Sequence, residues 1–198
     1  ELFETKKDLD NVFTSWDIIS GDVKLAENIL IYDEAGDHTA MQSAEIAIEQ
    51  GSTVEFMTPD RLISSEIMGM NLTPYLKNLQ NKKITYSIAK RLKDVSIKGN
   101  KLNAIIGSDY DENFKHSSTY DQIFLNYGVK PLDELYFNLV SFSKNEGEVN
   151  YTKFINGESQ NIIKNKNNKF NLYRIGDAVS SRNIHAAIYD ALRLVINL

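Results

Sequence analysis

The sequence predicts an α/β protein, a three-layer domain on a parallel sheet, and three observations predict it. The run Asn28-Ile-Leu-Ile-Tyr-Asp33 is continuously apolar and ended by charge, as in a strand buried on both faces. A helical pattern follows it at once, from about His38 to Gln50. A glycine and a β-branched second strand come next, completing a βαβ unit that closes right-handed into a parallel sheet.

The elements follow in order. Residues 1–27 are mixed, with Trp16-Asp17-Ile18-Ile19 as the compact apolar piece. In the first long helix Met41, Ala44 and Ile48 share one face, which Ala40 and Ala47 widen. Gly51 sits where a helix C-cap glycine belongs. Ser52-Thr-Val-Glu-Phe-Met57 alternates and reads as the second strand. Thr58-Pro-Asp-Arg61 is a turn. Thr73-Pro74 reads as an N-cap and first helical residue of a helix to about Asn81, with Leu76 and Leu79 inward. Lys83–Ser87 is a third strand, and Val95–Lys98 with Leu102–Ile106 around Gly99-Asn100 is a β-hairpin. Asp121–Tyr127 is a further strand ended by Gly128, and Pro131 opens a short helix carrying Leu135, Tyr136 and Phe137. Residues 143–170 are polar and read as a surface excursion. Leu172–Ile175 is a last strand before Gly176-Asp177-Ala178. A final helix from about Asn183 keeps its period through Ile184, Ala187, Ile188, Ala191, Leu192 and Val195.

Composition narrows the function classes. Of 198 residues 42% are hydrophobic and 25% charged, enough apolar surface to offset chain entropy, so a wholly disordered chain is excluded. The net charge of −5 disfavours nonspecific nucleic-acid binding, which needs a basic surface. No cysteine is present, so the chain supplies no disulfide, thiolate metal ligand or cysteine nucleophile. No apolar run approaches the roughly 20 residues of a membrane span, and the N-terminus lacks the apolar core of a signal peptide. These features agree with a cytoplasmic protein. The first residue is Glu1 rather than Met, which reads as a piece of a longer chain.

A βαβ unit raises the question of a dinucleotide, whose fingerprint is G-x-G-x-x-G/A at the first strand-to-helix turn. Here the turn reads Asp33-Glu-Ala-Gly-Asp-His-Thr-Ala40, and the glycine positions fall on Ala35, Asp37 and Ala40. Ala40 suits close helix packing and Ala35 crowds the turn. Asp37, beside Asp33 and Glu34, puts negative charge where a pyrophosphate would lie. The sequence therefore predicts a Rossmann-like fold with a lost dinucleotide site; a pocket rebuilt for NAD(P) or ADP is the competing reading. Among the histidines, His38 stands near a helix N-terminus and could face an anion, His116 reads as loop, and His185 as a packing or interface residue. No His/Asp/Glu cluster has metal-ligand spacing, and no serine sits in a nucleophile elbow.

Three pieces stand in a recognisable order: Ile29-Leu-Ile-Tyr-Asp…Gly36-Asp-His…Ala44-Glu45; Tyr127-Gly-Val-Lys-Pro131 with Asp133-Glu-Leu-Tyr-Phe137; and Tyr173-Arg-Ile-Gly-Asp-Ala178 with Arg182-Asn-Ile-His-Ala-Ala-Ile-Tyr-Asp190. From about Thr14 to Leu198 the chain resembles the C-terminal part of the NADH:flavin oxidoreductases related to trimethylamine dehydrogenase and 2,4-dienoyl-CoA reductase. The nearest likeness is to members that demethylate N-methylated amino acids such as N-methylproline or dimethylglycine.

The resemblance implies a parent of three parts. An N-terminal (β/α)8 barrel holds FMN and a cysteine-ligated [4Fe-4S] cluster. An FAD-like dinucleotide domain follows, with an NAD(P)-like domain inserted into it. Residues 1–27 would be the N-terminal flank of the FAD-like domain and residues 28–142 the inserted domain. Residues 143–170 would be the polar excursion, and 171–198 the closing strand and helix of the FAD-like domain. The resemblance implies cofactor contacts at Gly176, Asp177, Arg182 and Asn183, and in the inserted domain at Gly36 and His38. It implies no catalytic and no metal-ligating residue, and no cofactor held firmly by this chain alone. The implied partner is the protein's own barrel, with a homo-oligomer a second option and no nucleic acid or membrane. Two other classes stay open: a module binding ADP, NAD(P)H or FAD, and a free-standing interaction protein.

Overall fold

The computed structural model describes residues 9–195, so the ends of the predicted N-terminal flank and C-terminal helix, 1–8 and 196–198, lie outside the described residues. The chain divides into two compact units, Glu1–Tyr127 and Gly128–Leu198.

In the first unit β1 (Val12–Thr14), β2 (Asn28–Asp33), β3 (Thr53–Met57), β4 (Ile84–Ser87) and β8 (Gln122–Asn126) form one sheet in the order β1-β8-β2-β3-β4. Every pairing in it is parallel. A second sheet, β5 (Arg91–Lys98), β6 (Lys101–Gly107) and β7 (His116–Tyr120), is an antiparallel meander. Helices α1 (Ser15–Ser20), α2 (His38–Glu49) and α3 (Gly69–Leu79) complete the unit.

Strand alternation sends successive side chains to opposite faces, and two cores result. Leu30, Tyr32, Ile123 and Leu125 pack with Val95, Leu102, Ala104 and Ile106 of the meander. Ile29, Ile31, Val54, Phe56 and Phe124 pack with Met41, Ala44 and Ala47 of α2 and Leu79 of α3. Helix layer, parallel sheet and meander are the three layers, and the strand order is that of a Rossmann-like fold. Each fully buried aliphatic side chain contributes about 1.5–3 kcal/mol, so the two cores carry the stability of this unit.

Several elements differ from the sequence reading. The third helix starts at Gly69 rather than at Thr73, and Pro74 lies inside it. Its missing N–H leaves the Met70 carbonyl without the usual bond, while the Thr73 hydroxyl donates to the Gly69 carbonyl at 2.8 Å. The inward face is Leu72, Tyr75 and Leu79; Leu76 is exposed. His116 opens strand β7 rather than lying in a loop. The N-terminal piece contains a short parallel strand and a helix, the latter held at its start by the Asp17 carboxylate, which accepts from Thr14 N at 2.7 Å.

The second unit comprises α4 (Glu134–Leu139), a 3-10 turn at Val140–Phe142, α5 (Tyr151–Asn156), a 3-10 turn at Gly176–Ala178, and α6 (Ile184–Val195). Leu172–Ile175, predicted as a strand, is irregular and pairs with no strand among the described residues. A strand needs a neighbouring ladder, and here the Asn145 side chain serves instead. It accepts from Leu172 N at 2.8 Å and donates to Leu172 O at 2.7 Å.

Residues 143–170 are strapped down by hydrogen bonds. Lys144 N donates to Phe170 O at 2.7 Å, and Asn168 donates to the carbonyls of Ser141 and Ser143, both at 3.1 Å. Asn150 and Gln160 close a further loop around α5. The period of the last helix is as predicted, but Ile184, Ile188, Leu192 and Val195 face outward. Its packed side carries Leu194, the one core apolar side chain of this unit among the described residues.

Candidate functional site

The six predicted contact residues fall in both units, Gly36 and His38 in the first and Gly176, Asp177, Arg182 and Asn183 in the second. Each group is built from its own surroundings.

In the parallel sheet the strand order reverses between β2 and β8, and ligands of such folds bind outside the carboxyl ends of the strands at that point. Asp33 ends β2 opposite Asn126 of β8. The turn beyond it is closed by its own side chains. Asp33 Oδ1 accepts from Ala35 N at 3.1 Å, Gly36 N at 2.9 Å and Asn126 Nδ2 at 3.0 Å. Asp37 caps α2, accepting from Thr39 N and from the same Asn126 amide, each at 3.0 Å. The N–H groups and helix dipole that would hold a phosphate are thus met by a resident carboxylate.

Gly36 makes the close backbone approach that its φ of +67° and missing Cβ allow, but toward this chain itself. Its carbonyl accepts from Glu66 N at 3.0 Å, and a Cβ placed on it would lie 2.6 Å from Ser65 Oγ. The segment after β3 therefore packs directly on the turn at Gly36. His38 is exposed, with Nδ1 3.1 Å from the Tyr75 hydroxyl. These residues do not fit a bound dinucleotide.

The charges around the turn are uneven. Glu34 is neutralised by Arg91 at 2.9 Å, which also pairs with Asp109 at 2.6 Å, and the Tyr32 hydroxyl donates to Glu34 at 2.7 Å. Asp33 is fully buried and its Oδ2 meets no partner. Burial pushes its pKa up to about 6, against the pull of the Gly36 and Asn126 hydrogen bonds. In the sequence Asp33 stands out as a charge beside Asp37. Its place as the last residue of an otherwise apolar strand was the signal of burial.

In the second unit Gly176 adopts φ +57°, and a Cβ there would sit 3.2 Å from Ala187 Cβ, so the glycine lets the turn pack on α6. Gly176 N donates to Asp190 Oδ2 at 3.3 Å, and Arg182 pairs with the same oxygen. Asn183 caps α6, accepting from Ala186 N at 2.9 Å. Three of the four residues thus have local structural duties, while Asp177 is exposed on the turn. The sequence reading missed Asp190, which joins Gly176 and Arg182. It also missed Arg174, which pairs with Asp133 at 2.5 Å and lies about 5 Å from the Tyr136 and Phe137 rings. A cavity of about 360 Å³ lies in this unit between Tyr151, Phe154, Arg174, Val179 and Arg182. Among the described residues no group of three or more His, Asp or Glu could hold a metal ion. No described helix is long and apolar enough to cross a membrane.

No family model matches the chain. It is 51% identical over 184 residues to the probable N-methylproline demethylase of Rhizobium meliloti, covering 93% of this chain and 27% of that protein. It is 29% identical over 196 residues to the N,N-dimethylglycine/sarcosine dehydrogenase of Chromohalobacter salexigens, covering 97% of this chain and 28% of that protein. The fold is that of a segment of the 6-hydroxypseudooxynicotine amine oxidase of Pseudomonas geniculata, with TM-score 0.67 at 20% identity over 92% of this chain and 24% of that one. A histamine dehydrogenase from Rhizobium sp. 4-9 gives TM-score 0.59 at 15% identity over 92% of this chain and 25% of that one. The chain spans about a quarter of the length of the curated relatives it matches and, over nearly its whole sequence, is homologous to that segment of oxidoreductases named as N-methylproline demethylase and dimethylglycine/sarcosine dehydrogenase.

Proposed function

We propose that the chain is a dinucleotide-fold module of a larger, cytoplasmic flavin-dependent oxidoreductase that acts on the CH–NH bond of N-methylated amino acids, and that its role there is structural docking. The covering partner is the remainder of the same polypeptide, including a (β/α)8 barrel carrying FMN and a [4Fe-4S] cluster. With no cysteine in the sequence, the thiolates of that cluster belong to the barrel. In this reading residues 171–198 close the FAD-like domain and residues 28–142 form the inserted NAD(P)-like domain.

One observation carries the docking role. The second unit buries Leu194 while leaving large apolar side chains such as Leu132, Leu135, Phe137, Ile184, Ile188 and Leu192 more than half exposed. Ordering a residue costs about 1–2 kcal/mol of backbone entropy, and burial is what offsets it. Apolar surface on this scale marks an interface.

The test compares the chain alone with the longer natural protein. Alone, the chain should bind a hydrophobic dye strongly and show weak hydrogen-exchange protection in α6. In the longer protein dye binding should fall and that protection rise. Strong α6 protection and no dye binding in the chain alone would refute the docking role.

The exposed Asp177, after a glycine turn and before a helix N-terminus, favours a second reading, a module that binds ADP, NAD(P)H or FAD. Calorimetric titration separates the two. Docking predicts no heat with ADP, NADH, NADPH or FAD. A saturable micromolar signal abolished by Asp177→Ala would establish the second.

A further inference from the structure

We propose that Asp33 is a proton-operated latch: with a proton on Oδ2 it holds the Asp33–Asp37 turn closed against the Ser64–Ile67 segment, and on ionising it releases that turn and opens the strand-end crevice. The proposal concerns the first unit alone and stands or falls separately from the docking role.

The geometry of the closed turn carries it. Asp33 Oδ1 is saturated by two backbone N–H groups and the Asn126 amide, whereas the fully buried Oδ2 has no partner. A neutral carboxyl tolerates that position far better than a carboxylate, because a buried charge needs a counter-charge or donors. The charged groups nearby offer none. Asp37, sharing the Asn126 amide, is of like sign. Glu34 is committed to Tyr32 and Arg91, and the Arg91 guanidinium is taken up by Glu34 and Asp109. Glu66 on the covering segment and Asp60 just before it are acidic, and His38 is turned to Tyr75.

The covering segment carries a matching cost. Ser64 has a buried hydroxyl without a partner and a φ of +50°, a region that costs a non-glycine residue. Orphaned polar atoms thus lie both in the turn and in the segment over it, at a seam held by the Gly36 O to Glu66 N bond. Opening hydrates both.

The direction follows from linkage. Burial raises the carboxyl from its ordinary 3.8 to about 6 in the closed form. The closed form is therefore fully favoured below the ordinary value and loses that advantage as pH rises through the raised one. Between pH 5 and 7.5 the open fraction grows roughly tenfold.

The test is NMR on the isotope-labelled chain. The Asp33 carboxyl carbon should titrate near pH 6. Protection of the Glu66 amide, corrected for intrinsic exchange, should fall about tenfold from pH 5 to 7.5. Asp33→Asn should abolish that fall, and Asp37→Asn should keep it with a lower midpoint. A carboxyl midpoint near 4, flat protection, or a fall that persists in Asp33→Asn overturns the latch. If Asp33→Asn does not fold, the carboxyl titration and Asp37→Asn decide alone.

Discussion

Gly36→Ala tests whether the segment after β3 really fills the crevice at the switch point. Two costs add at this position. An L residue at φ +67° pays about 1–2 kcal/mol against glycine. The new Cβ would also lie 2.6 Å from Ser65 Oγ and 3.2 Å from Ser65 N. The hydroxyl can turn away only by leaving Asp60, to which it donates at 3.2 Å, and the backbone shift strains the Glu66 N to Gly36 O bond. Two such bonds are worth about 1 kcal/mol each, so the total is about 3–4 kcal/mol. Gly51→Ala is the control, because that glycine has φ +98° but nothing within 4 Å of a Cβ. It should pay the backbone cost alone. The single tryptophan, Trp16, lies in α1 of the same unit, so urea unfolding followed by its fluorescence reports this unit. With a slope of about 2 kcal/mol/M, Gly36→Ala should lower the midpoint by about 1.5–2 M and Gly51→Ala by about 0.5–1 M. Adding Ser65→Ala to Gly36→Ala should cost less than additivity predicts. Equal midpoints for the two glycine variants would refute the reasoning, since they would mean that nothing presses on Gly36.

Other substitutions probe the rest of the chain. Pro74→Ala should stabilise the first unit by about 1–3 kcal/mol by restoring a helical bond in an exposed turn of α3; a lowered urea midpoint would contradict it. Asn145→Ala removes a fully buried side chain bonded to Glu148 O and to both backbone groups of Leu172, and should cost about 3 kcal/mol. Limited proteolysis between residues 143 and 172 should then speed up. Leu194→Ala should destabilise α6 by about 2–4 kcal/mol, while Leu192→Ala in the isolated chain should stay within about 0.5 kcal/mol, both read from exchange in that helix. The raised carboxyl of Asp33 costs the first unit stability as pH rises through about 6, so Asp33→Asn should be more stable than the parent at pH 8 by up to about 3 kcal/mol. That gain should shrink toward pH 4, as measured by urea midpoints across pH.

What the sequence made legible was whatever repeats with a period. β2, α2 and β3 could be read because apolar residues recur at strand or helix spacing between clear stops, and Asp37 and Gly51 mark the helix ends. β7 was missed because His116-Ser-Ser-Thr-Tyr120 is an edge strand whose last residue alone is buried. The start of α3 was missed because no side chain caps it, while Thr73-Pro74 mimics a beginning. Leu172–Ile175 has a strand's composition, but pairing belongs to a neighbour and cannot be read from the segment. The same holds at the candidate site. Charge at the turn was visible, but the orphaned Asp33 Oδ2 and the Ser65 contact depend on residues far apart in the chain.

The two units differ in what keeps them ordered, and that difference bears on function. The first has a core on each face of its parallel sheet. The second is held by asparagine side chains that stand in for missing ladders, at Asn145 and Asn168, and by arginines set against aromatic rings, Arg174 beside Tyr136 and Phe137 and Arg193 beside Phe154 and Tyr189. Such contacts fix a geometry, but each adds only about 1 kcal/mol. They are too few to offset the ordering of this unit without further apolar burial. Under the proposed docking role that burial would come from the cover over Ile184, Ile188 and Leu192, which are more than half exposed in this chain. A unit fixed by polar contacts with an apolar face left open is what the proposed docking role requires, and the dye-binding and exchange comparison of the chain alone with the longer protein decides it.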